Sequence, residues 1–218
     1  MFDAVFFDLD GTLADTAPDL GGALNRVRAE ENLPPLPINE LRHVVSQGVR
    51  GLLRIGFGLT PDDDAYKAFY PRVLTHYEQG ICNESKLFGG ISELLAKLDT
   101  NKSPWGIVTN KHTRYTVPLV QALALDSRAV TVVSGDSAAK PKPAPDTLLH
   151  ACKLANVNPE RCWYVGDDLR DIQAARAAGM RSIAAMWGYL GDGDPPEQWQ
   201  ADALAYAPND VVHLIGLE

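Results

Sequence analysis

Two aspartates two positions apart, Asp8 and Asp10, stand directly behind the apolar run Ala4-Val5-Phe6-Phe7. Side chains i and i+2 of an extended chain point the same way, so the pair faces one side where the chain leaves a strand. Two carboxylates this close repel each other unless a cation sits between them or one keeps a proton. Both solutions serve chemistry. A cation held by hard oxygen donors near a turn suits Mg²⁺, and a carboxyl that keeps its proton near neutral pH is a general acid. Gly11 then permits a turn that a side chain would hinder. A calcium loop also begins D-x-D, but Leu13 stands where that loop needs Gly and Asp19 where it needs Glu.

Three more apolar runs end in polar groups. Trp105–Val108 leads into Thr109-Asn110-Lys111, Val130–Val133 into a loop carrying Lys140 and Lys142, and Cys162–Val165 into Gly166-Asp167-Asp168-Leu169-Arg170-Asp171. One polar strand end means little, because loops are polar by default. Four together supply a nucleophile, a proton carrier, donors for phosphate oxygens and a metal clamp, which is what phosphoryl transfer needs.

These residues need a scaffold that brings strand ends together. Asp15-Thr16-Ala17-Pro18 starts a helix that runs to about Glu31 and stops at Asn32–Pro37. Helical patterns follow over Ile38–Gly58, with a break near Gly48, and over Pro61–Gln79; no strand-like alternation occurs between 16 and 85. Beyond Gly89-Gly90 and a helix at Ile91–Asp99, strands and helices alternate. Strands are expected at Trp105–Asn110, Ala129–Ser134, Cys162–Val165, Arg181–Met186 and Ala203–Tyr206. Helices are expected at Thr113–Ala124, Pro145–Asn156, Asp168–Gly179 and Asn209–Leu217. Such alternation predicts an α/β fold, a Rossmann-like parallel sheet with helices on both faces, whose ligands gather at the carboxyl ends of the strands. An all-helical insert follows the first strand. The expected division is a core of 1–14 and 87–218 with a helical unit of 15–86.

The bulk numbers narrow the partners. The 218 residues are 45% hydrophobic and 22% charged, which is ordinary globular composition. A net charge of −8 argues against nucleic acid and against anionic membranes, which need a basic face. Three cysteines without a CxxC fit a reducing compartment, and no HExxH occurs. No apolar run approaches the roughly 18 residues of a membrane span, and no basic n-region precedes Asp3. A cytoplasmic protein acting on a small phosphorylated metabolite is expected, with the oligomeric state left open. The run Lys140-Pro141-Lys142-Pro143-Ala144-Pro145 reads as a stiff loop that fixes its lysines.

The chain resembles the haloacid dehalogenase superfamily of phosphatases. The pattern of that family is D-x-D-G-T, a Thr or Ser after the next strand, a Lys before a Pro, and G-D-x-x-x-D. Here these are Asp8-Leu9-Asp10-Gly11-Thr12, Thr109, Lys142-Pro143 and Gly166-Asp167 with Asp171, in order along the whole chain. Lys140 also precedes a proline, but the family spacing favours Lys142; Asp168 is surplus to the pattern and is expected to cap the next helix. Gly48–Arg50, Ser85–Phe88, Trp105–Lys111 and Val165–Ile172 are similar to the phosphoglycolate phosphatase branch. Gly188-Tyr189 and the acidic loop Gly191–Pro196 add a likeness to its N-acetylmuramic acid 6-phosphate phosphatases.

The resemblance implies a Mg²⁺-dependent phosphomonoester hydrolase with an inserted helical cap. Asp8 would be the nucleophile and Asp10 the acid and base. Thr109 and Asn110 would hold phosphoryl oxygens, with Lys111 also on the substrate side, and Lys142 would offset charge. Asp8, Asp10, Asp167 and Asp171 would form the metal site, Asp10 by its carbonyl and Asp171 from behind the direct ligands or through water. Arg50, between Gly48 and Gly51, is expected in a break between cap helices, facing a substrate carboxylate. Three other readings are weaker. A receiver-type signalling module carries its acceptor on a middle strand, a dehalogenase lacks the second aspartate, and a sugar-phosphate mutase would pass the phosphoryl group to a second hydroxyl.

Overall fold

The computed structural model describes residues 2–217. The chain opens with β1 (Ala4–Phe7), every residue of which is buried, and passes through β2 (Ala14–Asp15) into four helices. These are α1 (Ala17–Glu30), α2 (Ile38–Val45), α3 (Gly48–Phe57) and α4 (Asp64–Glu78). The chain returns through β3 (Lys86–Leu87) and α5 (Ile91–Thr100), then alternates. β4 (Trp105–Val108), α6 (Thr113–Ala122), β5 (Val132–Val133), α7 (Asp146–Ala155) and β6 (Cys162–Gly166) come first. α8 (Leu169–Ala177), β7 (Arg181–Ala185), β8 (Ala203–Ala205) and α9 (Pro208–Leu214) complete the chain.

Six strands form a sheet in the order β5-β4-β1-β6-β7-β8, and every pairing in it is parallel. The expected Rossmann-like α/β architecture is therefore the one observed. Alternate residues of the buried strands feed opposite faces, as the pleat requires. Val5, Phe7, Ile107 and Val165 pack with α5 and α9, whereas Ala4, Phe6, Val108 and Tyr164 pack with α7 and α8. The central strand β1 lies between β4 and β6, so the chain moves one way from β1 to β4 and β5 and the other way to β6. Open α/β sheets bind ligands at such a reversal, outside the carboxyl ends of the strands.

Helices α1–α4 gather a separate apolar cluster around Leu24, Leu41, Leu52, Leu53 and Tyr77. The break expected near Gly48 separates α2 from α3, with Gly48 at φ +65°. α4 begins three residues later than expected. Asp63 accepts hydrogen bonds from the N–H and Oγ of Thr60 at 2.7 and 2.8 Å, which turns Pro61 into a loop residue ahead of the helix. The antiparallel ribbon of β2 and β3 was not expected; two-residue strands carry no periodicity to read. It clasps the two points where the chain enters and leaves the helical unit. β5 is shorter than the expected Ala129–Ser134, as befits the sheet edge. No described helix is long and apolar enough to cross a membrane.

Candidate active site

The buried β1 and β6 deliver Asp8 and Asp167 side by side, because the two strands pair in register from Ala4 with Cys162 to Phe7 with Val165. Asp171 projects from the first turn of α8 to meet them. Asp8, Asp167 and Asp171 place carboxylate oxygens within 4.8 Å of one another. The backbone comes close to accommodate this. A Cβ on Gly11, at φ +86°, would stand 2.2 Å from Asp167 Oδ2, and one on Gly188 would stand 2.2 Å from Asp167 Cβ. No other residue type fits either position.

Among the described residues, one cation pairs with two of the three acids. Lys142 Nζ lies 2.9 Å from Asp8 Oδ1 and 2.7 Å from Asp171 Oδ1. It also donates to Tyr164 Oη at 2.8 Å and to the Val108 carbonyl at 3.2 Å. Its loop is tied to the β4 end by Asn110, whose side chain accepts from Lys142 N–H and donates to its carbonyl. Burial disfavours the Lys142 ammonium, but Asp171 and Asp8 outweigh that and raise its pKa. Lys140, by contrast, is exposed.

Among the described residues Asp167 has no ammonium partner. It accepts from Thr12 Oγ at 2.8 Å and from Tyr189 N–H at 2.9 Å. Burial first, then the charges of Asp8 and Asp171, push its pKa well above the usual carboxylate range. Asp171 is pushed up to about 7, by burial and by Asp8, against the opposing pull of Lys142. Asp8 Oδ1 is buried and accepts no well-aligned hydrogen bond, despite its ion pair. Three hard carboxylates, an orphaned oxygen and a single ammonium make a donor set short of positive charge. A divalent cation that prefers oxygen ligands fits it, and Mg²⁺ is such a cation.

Asp10 lies apart from that cluster. Its Oδ1 accepts from Lys111 Nζ at 2.8 Å and from Thr16 Oγ at 2.6 Å. Lys111 in turn sits 4.8 Å from the ring centre of Tyr77 in α4, so a core cation bridges Asp10 and the helical unit. Thr109 is buried at the end of β4, its Oγ accepting from the Lys111 N–H at 3.1 Å. Asp168 caps α8 as expected, and Asp171 closes the capping box by accepting from the Asp168 N–H at 3.1 Å.

These side chains open onto a cavity of about 450 Å³ between the sheet and α2–α4. Asp8, Asp10, Thr109, Asn110, Lys111, Lys142 and Asp171 line it from below, and Val49, Tyr70, Leu74 and Tyr77 from the helical side. Asp167 lies beneath this wall. Arg50 is elsewhere: it is an exposed residue within α3, not in a break, and lines a second cavity.

Several supporting contacts had no sequence signal. Thr16 and Tyr164 reach the site only through folding. Tyr189 is the broadest of them. Its hydroxyl accepts from Thr16 N–H at 2.7 Å and Ala17 N–H at 2.9 Å, and lies 3.1 Å from Asp15 Oδ1. Asp15 is held by both terminal nitrogens of Arg42 at 2.8 and 2.7 Å. The Gly188-Tyr189 pair was visible in the sequence as a likeness, but its partners lie more than 170 residues away.

A family model described as haloacid dehalogenase-like hydrolase matches residues 5–185. The N-acetylmuramic acid 6-phosphate phosphatase of Pseudomonas putida is 39% identical over 212 residues, covering 97% of this chain and 95% of that one. The phosphoglycolate phosphatase of Xanthomonas campestris pv. campestris is 44% identical over 206 residues, covering 94% and 92%. Among solved structures, a predicted phosphoglycolate phosphatase from Haemophilus somnus superposes with a TM-score of 0.83 at 27% identity. That match covers 98% of this chain and 97% of the other.

Proposed function

This chain belongs to the haloacid dehalogenase-like hydrolase family and is a phosphatase, and from that premise we propose a Mg²⁺-dependent hydrolysis of N-acetylmuramic acid 6-phosphate through an aspartyl-phosphate. The observation that carries the mechanism is Asp8: its carboxylate lines the floor of a cavity beside one ammonium and two further acids, with Oδ1 buried toward Lys142. A nucleophile needs an accessible lone pair and a local field that tolerates the incoming phosphate.

In this reading Asp8 attacks phosphorus and carries the phosphoryl group. Asp10 gives its proton to the leaving alkoxide, then removes one from the water that hydrolyses the aspartyl-phosphate. Thr16 fixes the Asp10 carboxyl, and Lys111 turns from Asp10 to the substrate as the ester enters. Thr109 and the N–H of Asn110 hold phosphoryl oxygens. Lys142 orients Asp8 and offsets charge, with Tyr164 and the Val108 carbonyl fixing its position. Asp8, Asp167, the Asp10 carbonyl and Asp171, directly or through water, would hold Mg²⁺, which neutralises phosphate charge when bound. Residues 15–86 act as a cap over the core of 1–14 and 87–218, and Arg50 serves the substrate from that cap. The reaction is placed in the cytoplasm, in cell-wall recycling.

The size of the cavity supports the amino-sugar acid. About 450 Å³ falls in the range of sites for larger ligands, roughly 300–1,000 Å³, and a two-carbon phosphate leaves most of it empty. The second reading, 2-phosphoglycolate, is favoured by the 44% identity to the Xanthomonas enzyme. Phosphate release from both esters, with and without Mg²⁺, decides. Higher kcat/KM on N-acetylmuramic acid 6-phosphate is expected. Preference for 2-phosphoglycolate would reverse the assignment, and undiminished turnover after exhaustive chelation would remove the metal.

A further inference from the structure

A second cavity of about 290 Å³ opens beside the first and shares two wall residues with it, Gln47 and Arg170. Three guanidinium groups line it, Arg50 and Arg54 from α3 and Arg170 from α8, and none of its wall residues is acidic. Arg50 and Arg54 are four apart on one helix, which places them on one face. Three like charges around one cavity repel each other, and they gather here in a chain of net charge −8.

Two of the three are anchored. Arg54 pairs with Asp192 at 2.9 Å. Arg170 is fixed by the two oxygens of Asp168 and the Ser46 carbonyl, all through Nε and Nη2. Those bonds tie the core to the α2–α3 loop and leave Arg170 Nη1 unengaged among the described residues. Arg50 is exposed and forms no ion pair with a described acid. Anchored guanidiniums cost little further ordering when an anion arrives, and their fork matches a carboxylate in two-point contact.

We infer that this second cavity is an anion subsite that takes the carboxylate at the far end of the substrate while the phosphate lies at Asp8. The inference rests on the phosphatase reading above. Because Arg170 and Gln47 belong to both walls, a single ligand spans the two cavities. The ligand class is therefore a phosphorylated sugar acid, whose carboxylate stands a ring away from the phosphate. In 2-phosphoglycolate the two charges are too close together to use both cavities.

The test is a ratio: kcat/KM on N-acetylmuramic acid 6-phosphate over that on N-acetylglucosamine 6-phosphate, which lacks the lactyl carboxylate. Arg50→Gln and, separately, Arg54→Gln should each lower it by about 10-fold, the loss of one charged hydrogen bond, seen mainly in KM. Arg50→Lys should recover part of the loss, because it keeps the charge without the fork. A ratio unmoved in both glutamine variants overturns the subsite, whether activity falls equally on both esters or on neither. If wild-type protein hydrolyses p-nitrophenyl phosphate but neither sugar ester, the substrate reading fails instead. The cavity is then read by calorimetry with N-acetylmuramic acid alone. Binding by wild type that Arg50→Gln abolishes sustains the subsite; absent binding, or binding the variant retains, removes it.

Discussion

Asp167→Asn should make the metal-free protein more stable and the metal-loaded protein less so. Asp167 is buried without an ammonium partner among the described residues, and one of its oxygens lies within 4.8 Å of an oxygen of Asp8 and of Asp171. At an effective dielectric of about 20, two like charges at that distance repel by about 3 kcal/mol, an upper bound because a retained proton relieves it. Asparagine removes the charge and keeps the hydrogen bonds: its carbonyl accepts from Tyr189 N–H and its amide donates to Thr12 Oγ once that hydroxyl turns. A net gain of about 1–2 kcal/mol corresponds to roughly 2–8 °C in a chain of this size. If the site takes Mg²⁺ as proposed, the ion at about a hundred times its Kd would add about 2.7 kcal/mol to wild type, or roughly 5–11 °C. The variant should lose nearly all of that shift. The sign also sets the pH dependence. Asp167 and Asp171 have raised folded-state pKa values, Asp171 about 7. The stability they contribute is fully present below the unfolded value of about 3.9 and is lost as pH rises through the folded value. The stabilising effect of Asp167→Asn without metal should therefore be larger at pH 8 than at pH 5. Differential scanning fluorimetry with and without MgCl₂ at both pH values reads all of this. A metal-free variant that melts below wild type at pH 8, or one that keeps the Mg²⁺ shift, would refute the shared-cation account.

Asp8→Asn should abolish turnover, since a neutral amide does not attack phosphorus. Asp10→Asn should slow it by about 10²–10⁴-fold and let a phosphoenzyme accumulate in acid-quenched samples; near-full activity on an ester with a basic leaving group would contradict the acid–base role. Replacing Mg²⁺ by Ca²⁺ should inhibit, because an ion taking six to eight oxygens draws on both oxygens of Asp8; equal rates with the two ions would count against Asp8 as the shared ligand and nucleophile. Tyr189→Phe removes the hydroxyl that accepts from Thr16 and Ala17 and approaches Asp15. It should cost about 1–3 kcal/mol in urea denaturation, the penalty for buried donors left unpaired; a loss within experimental error would mean that water replaces the hydroxyl.

The sequence alone determined the order and kind of the longer elements, though not the two-residue β2 and β3, because strand and helix write different hydrophobic periods into neighbouring residues. It also placed polar groups at the ends of four strands, a pattern local to each loop. Asp168 as a helix cap was legible for the same reason: a cap acts on residues two and three positions away. The tertiary structure decided what depends on contacts far along the chain. That Asp8 meets Asp167 follows from β1 pairing with β6, two strands more than 150 residues apart. Tyr189 binding the start of α1 and Thr16 holding Asp10 left no trace in local pattern, since a hydroxyl reads alike whether solvated or buried. Arg50 shows the limit most plainly. Flanking glycines suggested a break that dips toward the core, but Gly48 instead starts α3 and Gly51 packs within it against the Val44 carbonyl. Helical winding then carries Arg50 round to the second cavity beside Arg54, a position set by the phase of the helix and by the way α3 packs on α1, α2 and α4.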